Sequence, residues 1–110
     1  MSRVKIYLFG KISGVPLEEA IKKFDHYEFM LRVNGFEVVN PLTINEVREG
    51  KTWIDYMKTD ILELFQCKAI YMIKDWQQSV GAQIEYEIAK NLGLQIIDEN
   101  DTKNSFFHRG

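Results

Sequence analysis

AIYMIKDWQQSVGAQIEYEIAKNLGLQII, residues 69–97, contains one complete strand–helix–strand unit, and its reading decides the fold. Ala69 to Ile73 is an unbroken apolar run, the composition of a strand covered on both faces. Lys74 to Gln78 form a polar loop around Trp76. Ser79 then stands where a helix N-cap belongs, and the helix it opens runs to Leu92. Gly93 closes that helix as a left-handed cap, and Leu94 to Ile97 is the next strand. Two strands joined through such a crossover lie parallel.

The same alternation extends upstream. Val4 to Phe9 is a strand ending at Gly10. Pro16 marks the opening of a helix, with Glu18 and Glu19 suiting its positive end. Leu17, Ala20, Ile21, Phe24, Tyr27 and Leu31 give that helix one apolar face, and Asn34-Gly35 ends it. Phe36 to Val39 is the second strand, stopped by Asn40-Pro41. Residues 42–51 read as a loop with room for one helical turn. Thr52 is an N-cap for a helix from Trp53 to about Gln66, with Asp55 three residues on. The order βαβαβαβ, with strands too apolar to face water, predicts a single α/β domain whose parallel sheet carries helices on both faces. The remaining segment, 98–110, is a polar tail apart from Phe106-Phe107.

At 110 residues, with 45% apolar and 27% charged types, the chain suits one ordinary globular domain and excludes a disordered one. Fourteen basic residues against 16 acidic leave a net charge of −2, which argues against a nucleic-acid polymer as partner. No apolar run approaches the ~18 residues that span a bilayer, so no membrane partner is expected. The amino terminus alternates in polarity like a strand, unlike a signal peptide. A lone Cys67, read as a small buried apolar residue, fits a reducing cytoplasm. His26 and His108 are far apart and lack ligand-spaced partners, so neither a metal nor another cofactor is expected.

A ligand in such a sheet sits beyond the carboxyl ends of the strands, where neighbouring connections part to opposite faces. The loops there are 10–16, 40–52 and 74–79. Gly10-Lys11-Ile12-Ser13-Gly14-Val15-Pro16 suits an anion, with free N–H groups, a helix N-terminus and a cation; it reads equally as a tight strand-to-helix turn. It matches neither the P-loop nor the dinucleotide fingerprint. Glu85 heads the apolar stripe Ile88, Ala89, Leu92, and Asp60 lies inside the stripe of Trp53, Tyr56, Met57, Ile61 and Leu64. A carboxylate on a buried face is costly unless paired or used. One such group as nucleophile and one as proton donor is the pattern that breaks glycosidic bonds through a covalent intermediate. Gly81 and Ala82 keep the first turn of Glu85's helix slim enough for close approach by a ligand. Trp53 reads as core. Trp76, in a polar loop at the ligand edge, reads as a stacking group for a base or as lid packing.

Taken together, Lys5-Ile6-Tyr7-Leu8-Phe9-Gly10 with Ile12-Ser13-Gly14, then Asn40-Pro41, Asp60-Ile61, Cys67-x-Ala69-Ile70-Tyr71-Met72 and Trp76-x-x-Ser79-x-Gly81-Ala82-x-x-Glu85 resemble the nucleoside 2-deoxyribosyltransferase-like superfamily over residues 4–97. The resemblance implies a flavodoxin-like three-layer sandwich with a four-stranded sheet in the order 2-1-3-4. It implies Glu85 as the nucleophile at the anomeric carbon, Tyr7 holding it, and Asp60 acting near the leaving base, while Gly10 lets the sugar or phosphate come close. Family members that use free nucleosides carry Asp six residues before the nucleophile. The related 2′-deoxynucleoside 5′-phosphate N-hydrolases carry Ser there, as this chain does at Ser79. Lys11 adds a positive charge in the loop that contacts phosphate, although the hydrolases have Ser and Arg where this chain has Lys11 and Ser13. Lys68 replaces a usual Asp. The resemblance further implies a homodimer or larger homo-oligomer, with the tail packing on a neighbouring subunit.

The expected function is therefore cleavage of the base–sugar bond of 2′-deoxynucleoside 5′-monophosphates through a glycosyl-Glu85 intermediate, with Lys11, Ser13, Trp76, Ser79, Gly10 and Gly81 binding substrate. The alternatives are a non-catalytic nucleotide sensor, a base-exchanging nucleoside deoxyribosyltransferase, and a flavin-binding protein.

Overall fold

A computed structural model of the protein describes residues 3–44 and 50–101. Met1, Ser2 and the tail residues Phe106, Phe107 and His108 lie outside the described residues, so the expectation that the tail packs on a neighbour has no counterpart in them. Four strands, β1 (Lys5–Phe9), β2 (Glu37–Val39), β3 (Ala69–Met72) and β4 (Gln95–Asp98), pair in parallel in the order β2-β1-β3-β4. Four α-helices connect and flank them: α1 (Leu17–Val33), the single turn α2 (Pro41–Ile44), α3 (Trp53–Leu64) and α4 (Val80–Leu92). The parallel sheet is the one the alternation of strands and helices predicts, and its 2-1-3-4 order is the one the resemblance implies.

Alternation along the two central strands builds two cores. Ile6, Leu8, Ala69, Tyr71 and Ile73 point to one face, where Phe24, Tyr27 and Leu31 of α1 cover them. Tyr7, Phe9, Ile70 and Met72 point to the other, against Leu64 of α3 and Ala82 and Ala89 of α4. Cys67 joins this second core as a buried residue, and burial pushes its thiol up to about 11. β1 and β3 are covered on both sides, apart from half-buried Lys5 where β1 starts, and the exposed strand residues Glu37 and Gln95 lie on the edge strands β2 and β4.

Local chemistry sets the boundaries. Thr52 and Asp55 form a reciprocal capping box at the start of α3. Ser79 accepts a hydrogen bond from Ala82 N to cap α4, and Gly93 closes that helix at a φ of 75°. Pro16 occupies the cap position of α1 rather than its first turn, and offers no side-chain bond. Asn40 accepts from Leu42 N through its side chain, which starts α2 immediately after β2. None of the helices among the described residues is long and apolar enough to cross a membrane.

Candidate active site

The chain leaves β1 toward α1 on one face of the sheet and leaves β3 toward α4 on the other. The gap between these departures is where such a fold places its ligand. A cavity of about 260 Å³ opens there, near the lower end of small-molecule sites. Gly10, Ile12 and Ser13 reach it from the loop after β1, Leu42 from α2, Asp60 from α3, and Ser79, Gly81 and Glu85 from the start of α4.

The chemistry is concentrated on three side chains. Glu85 is 6% exposed and Asp60 is 8% exposed, although both line the cavity. Tyr7, fully buried on β1, donates a 2.9 Å hydrogen bond to Glu85 Oε2. Asp60 also acts on the Tyr7 hydroxyl, through its charge and within hydrogen-bonding reach, so one phenol faces two carboxyl groups. Burial and these two acids push the Tyr7 hydroxyl well above the usual tyrosine range, which keeps it a hydrogen-bond donor. Glu85 is pushed up to about 8, first by burial and then by the charge of Asp60, against the lowering effect of the Tyr7 hydrogen bond. Two acids sharing one buried site are a pair that holds a proton near neutrality.

Ser79 combines two positions: it caps α4 and lines the cavity. Gly81 also lines it, and a Cβ there would stand 3.2 Å from Met57 Sδ, so its bareness serves the packing of α4 on α3. Gly10 is similar: a Cβ would meet Ile73 Cδ1 at 3.0 Å and Phe24 Cζ at 3.1 Å, within the first core. Gly10 thus has a packing reason to be bare as well as a place at the cavity wall.

Two aromatic assignments are corrected. Trp76 does not line the cavity; it is 8% exposed in the second core, with its ring 5.0 Å from that of Tyr86. The 3-10 turn over Trp76–Gln78 folds the indole inward, because a large apolar ring gains more from burial than a polar loop context suggests. Trp53, expected in the core, is instead 48% exposed and lines the cavity with Tyr56 and Met57. The missed signal was its place in the first turn of a helix that follows a strand-end loop.

Lys11 is likewise not a cavity-lining residue. Its backbone N–H donates to Asp75 Oδ1 at 3.0 Å, and its carbonyl accepts from Lys23 Nζ at 2.7 Å. Lys23 Nζ also pairs with Asp75 Oδ2 at 2.6 Å. Asp75, which sequence reading passed over, therefore ties the loop after β1 to the loop after β3. Among the described residues no three His, Cys, Asp or Glu side chains gather as metal ligands.

Comparison with curated proteins gives no match. Residues 4–98, a span that takes in every strand and helix named above, match the family described as a domain of unknown function (DUF4406), and the chain belongs to that family.

Proposed function

We propose that the protein is a retaining N-glycosidase that cleaves the base–sugar bond of 2′-deoxynucleoside 5′-monophosphates. The observation that carries this reading is the buried arrangement of Glu85, Tyr7 and Asp60 at one cavity. The likeness of its motifs to the nucleoside 2-deoxyribosyltransferase-like superfamily supports the same roles. In the empty cavity the single proton of the acid pair sits on Glu85; in the reactive form it has passed through the Tyr7 hydroxyl to Asp60, which leaves the charge on Glu85. Asp60 then donates to the Tyr7 oxygen, and Tyr7 donates to Glu85. Glu85 attacks C1′ as the bond from C1′ to the base nitrogen breaks, and the departing base takes the proton from Asp60. Asp60, now a carboxylate, takes a proton from a water molecule as the water oxygen bonds to C1′, and the bond from C1′ to Glu85 breaks. Ser79 and the N-terminus of α4 face the 5′-phosphate, where a carboxylate would repel it.

A second reading, a nucleotide-binding sensor, draws on the elevated Glu85 carboxyl: near 8, it is neutral at pH 7 in the empty cavity and binds as a hydrogen-bonding group without attacking. Incubation with each 2′-deoxynucleoside 5′-monophosphate, followed by chromatography for free base, separates the two. Base release supports the glycosidase. Saturable binding without release overturns it in favour of the sensor. A cytoplasmic setting, expected from the lone Cys67, and a homo-oligomeric state, expected from the resemblance, belong to this proposal.

A further inference from the structure

On α3, Trp53, Met57, Asp60 and Leu64 recur at spacings of four, three and four, which places them along one face. Leu64 is fully buried, and Met57 and Asp60 are each 8% exposed, yet Trp53 at the head of the row is 48% exposed. The row emerges from the core into the cavity, and its last member is an indole with nearly half its surface uncovered there. Gly81 contributes no side chain beside it; even an added Cβ would remain 3.8 Å from Trp53 Nε1. Among the described residues Tyr56 is the other aromatic one lining the cavity, but the Lys51 ammonium stands over its ring at 4.4 Å. Trp76 is withdrawn into the core. Among the described residues Trp53 is thus the cavity's uncovered flat apolar surface, two turns before the acid assigned to the leaving base and on the same helix face.

We propose that Trp53 is the stacking wall for the planar heteroaromatic ring of the ligand, and so sets the preference of this site for base-bearing molecules over bare sugar phosphates. The proposal rests on the glycosidase reading for the identity of the ring but has its own readout. Covering the exposed indole with a flat ring removes apolar surface of both partners from water, and base–aromatic stacking is sequence-tolerant because every base presents a π-face.

The test is a fluorescence titration of the full chain with dAMP and with 2-deoxyribose 5-phosphate, in the parent and in Trp53→Phe. We expect dAMP to quench the indole emission of the parent, the sugar phosphate to leave it unchanged, and the dAMP response to vanish in Trp53→Phe. Trp53→Ala should raise the KM, or the Kd where there is no turnover, for dAMP about 5- to 150-fold, with Phe restoring most of the loss and kcat moving less than about threefold. An equal response to the sugar phosphate, a response that survives in Trp53→Phe, no response at all, or an Ala variant within about twofold of the parent overturns the proposal. Quenching by dAMP that depends on Trp53 without base release by the parent would sustain the stacking wall and sink the glycosidase. Base release indifferent to Trp53 would do the reverse.

Discussion

Tyr7 and Glu85, 78 positions apart in sequence, meet through a 2.9 Å hydrogen bond in the buried interior. The bond joins the central strand β1 to the second turn of α4, so the carboxyl group is held from the sheet as well as from its own helix. Asp60, on α3, meets the same phenol.

Replacing Glu85 with Ala should lower base release from deoxynucleotides by several orders of magnitude while the helical circular-dichroism signal is kept. A nucleophile has no substitute, whereas removing an awkward buried acid is tolerated by the core. Retention of more than about a tenth of the parent rate would remove Glu85 from the mechanism.

Stability should depend on pH through the same residue. Glu85 is raised from 4.5 to about 8 in the folded protein. Across that window the native state holds a proton that the unfolded chain has released, so stability falls as pH rises toward 8. Glu85→Gln lacks this proton and should lose that slope, gaining on the parent by about 4 kcal/mol between pH 5 and pH 8.5. Tyr7→Phe should extend the falling limb to higher pH without steepening it, because the Tyr7 hydrogen bond holds Glu85 down and the slope is limited to one proton. Denaturant melts of the three proteins across pH check this, and parallel curves for parent and Gln would refute it.

Ser79→Asp separates cap from specificity. Aspartate is as good an N-cap as serine, so α4 should hold and the melting temperature should change little. The new carboxylate at the cavity wall should repel a 5′-phosphate and lower kcat/KM for the deoxynucleotide by about tenfold or more, while leaving the deoxynucleoside unharmed. Comparing kcat/KM for both substrates in both proteins is the measurement. A parent that prefers the free nucleoside would leave Ser79 a cap alone.

Asp75→Ala removes the acceptor shared by Lys11 N and Lys23 Nζ. Each partner is part-buried, so the loss should cost about 1–3 kcal/mol in urea melts. The freed loop after β1 carries Gly10, Ile12 and Ser13 at the cavity, so KM should rise more than kcat falls. Unchanged stability would show that the tie is replaced by solvent.

By itself the sequence determined the layers, the parallel sheet and the two carboxylates, since periodicity and caps report which face of each element is buried. The stripe positions of Glu85 and Asp60 were legible because a charge among apolar neighbours is a local anomaly. The exchange between Trp53 and Trp76 was not legible. Both are large apolar rings near strand ends, and polar loop neighbours marked Trp76 as the outer one. Its burial against Tyr86 depends on how the 3-10 turn meets α4, and the exposure of Trp53 depends on its facing the cavity at the start of α3. The role of Asp75 was hidden for the same reason: its partners Lys11 and Lys23 stand 64 and 52 positions away. Spacing along a chain fixes the direction of a side chain within its own element. Which element it meets is decided by packing among all of them, and that exists only in the folded structure.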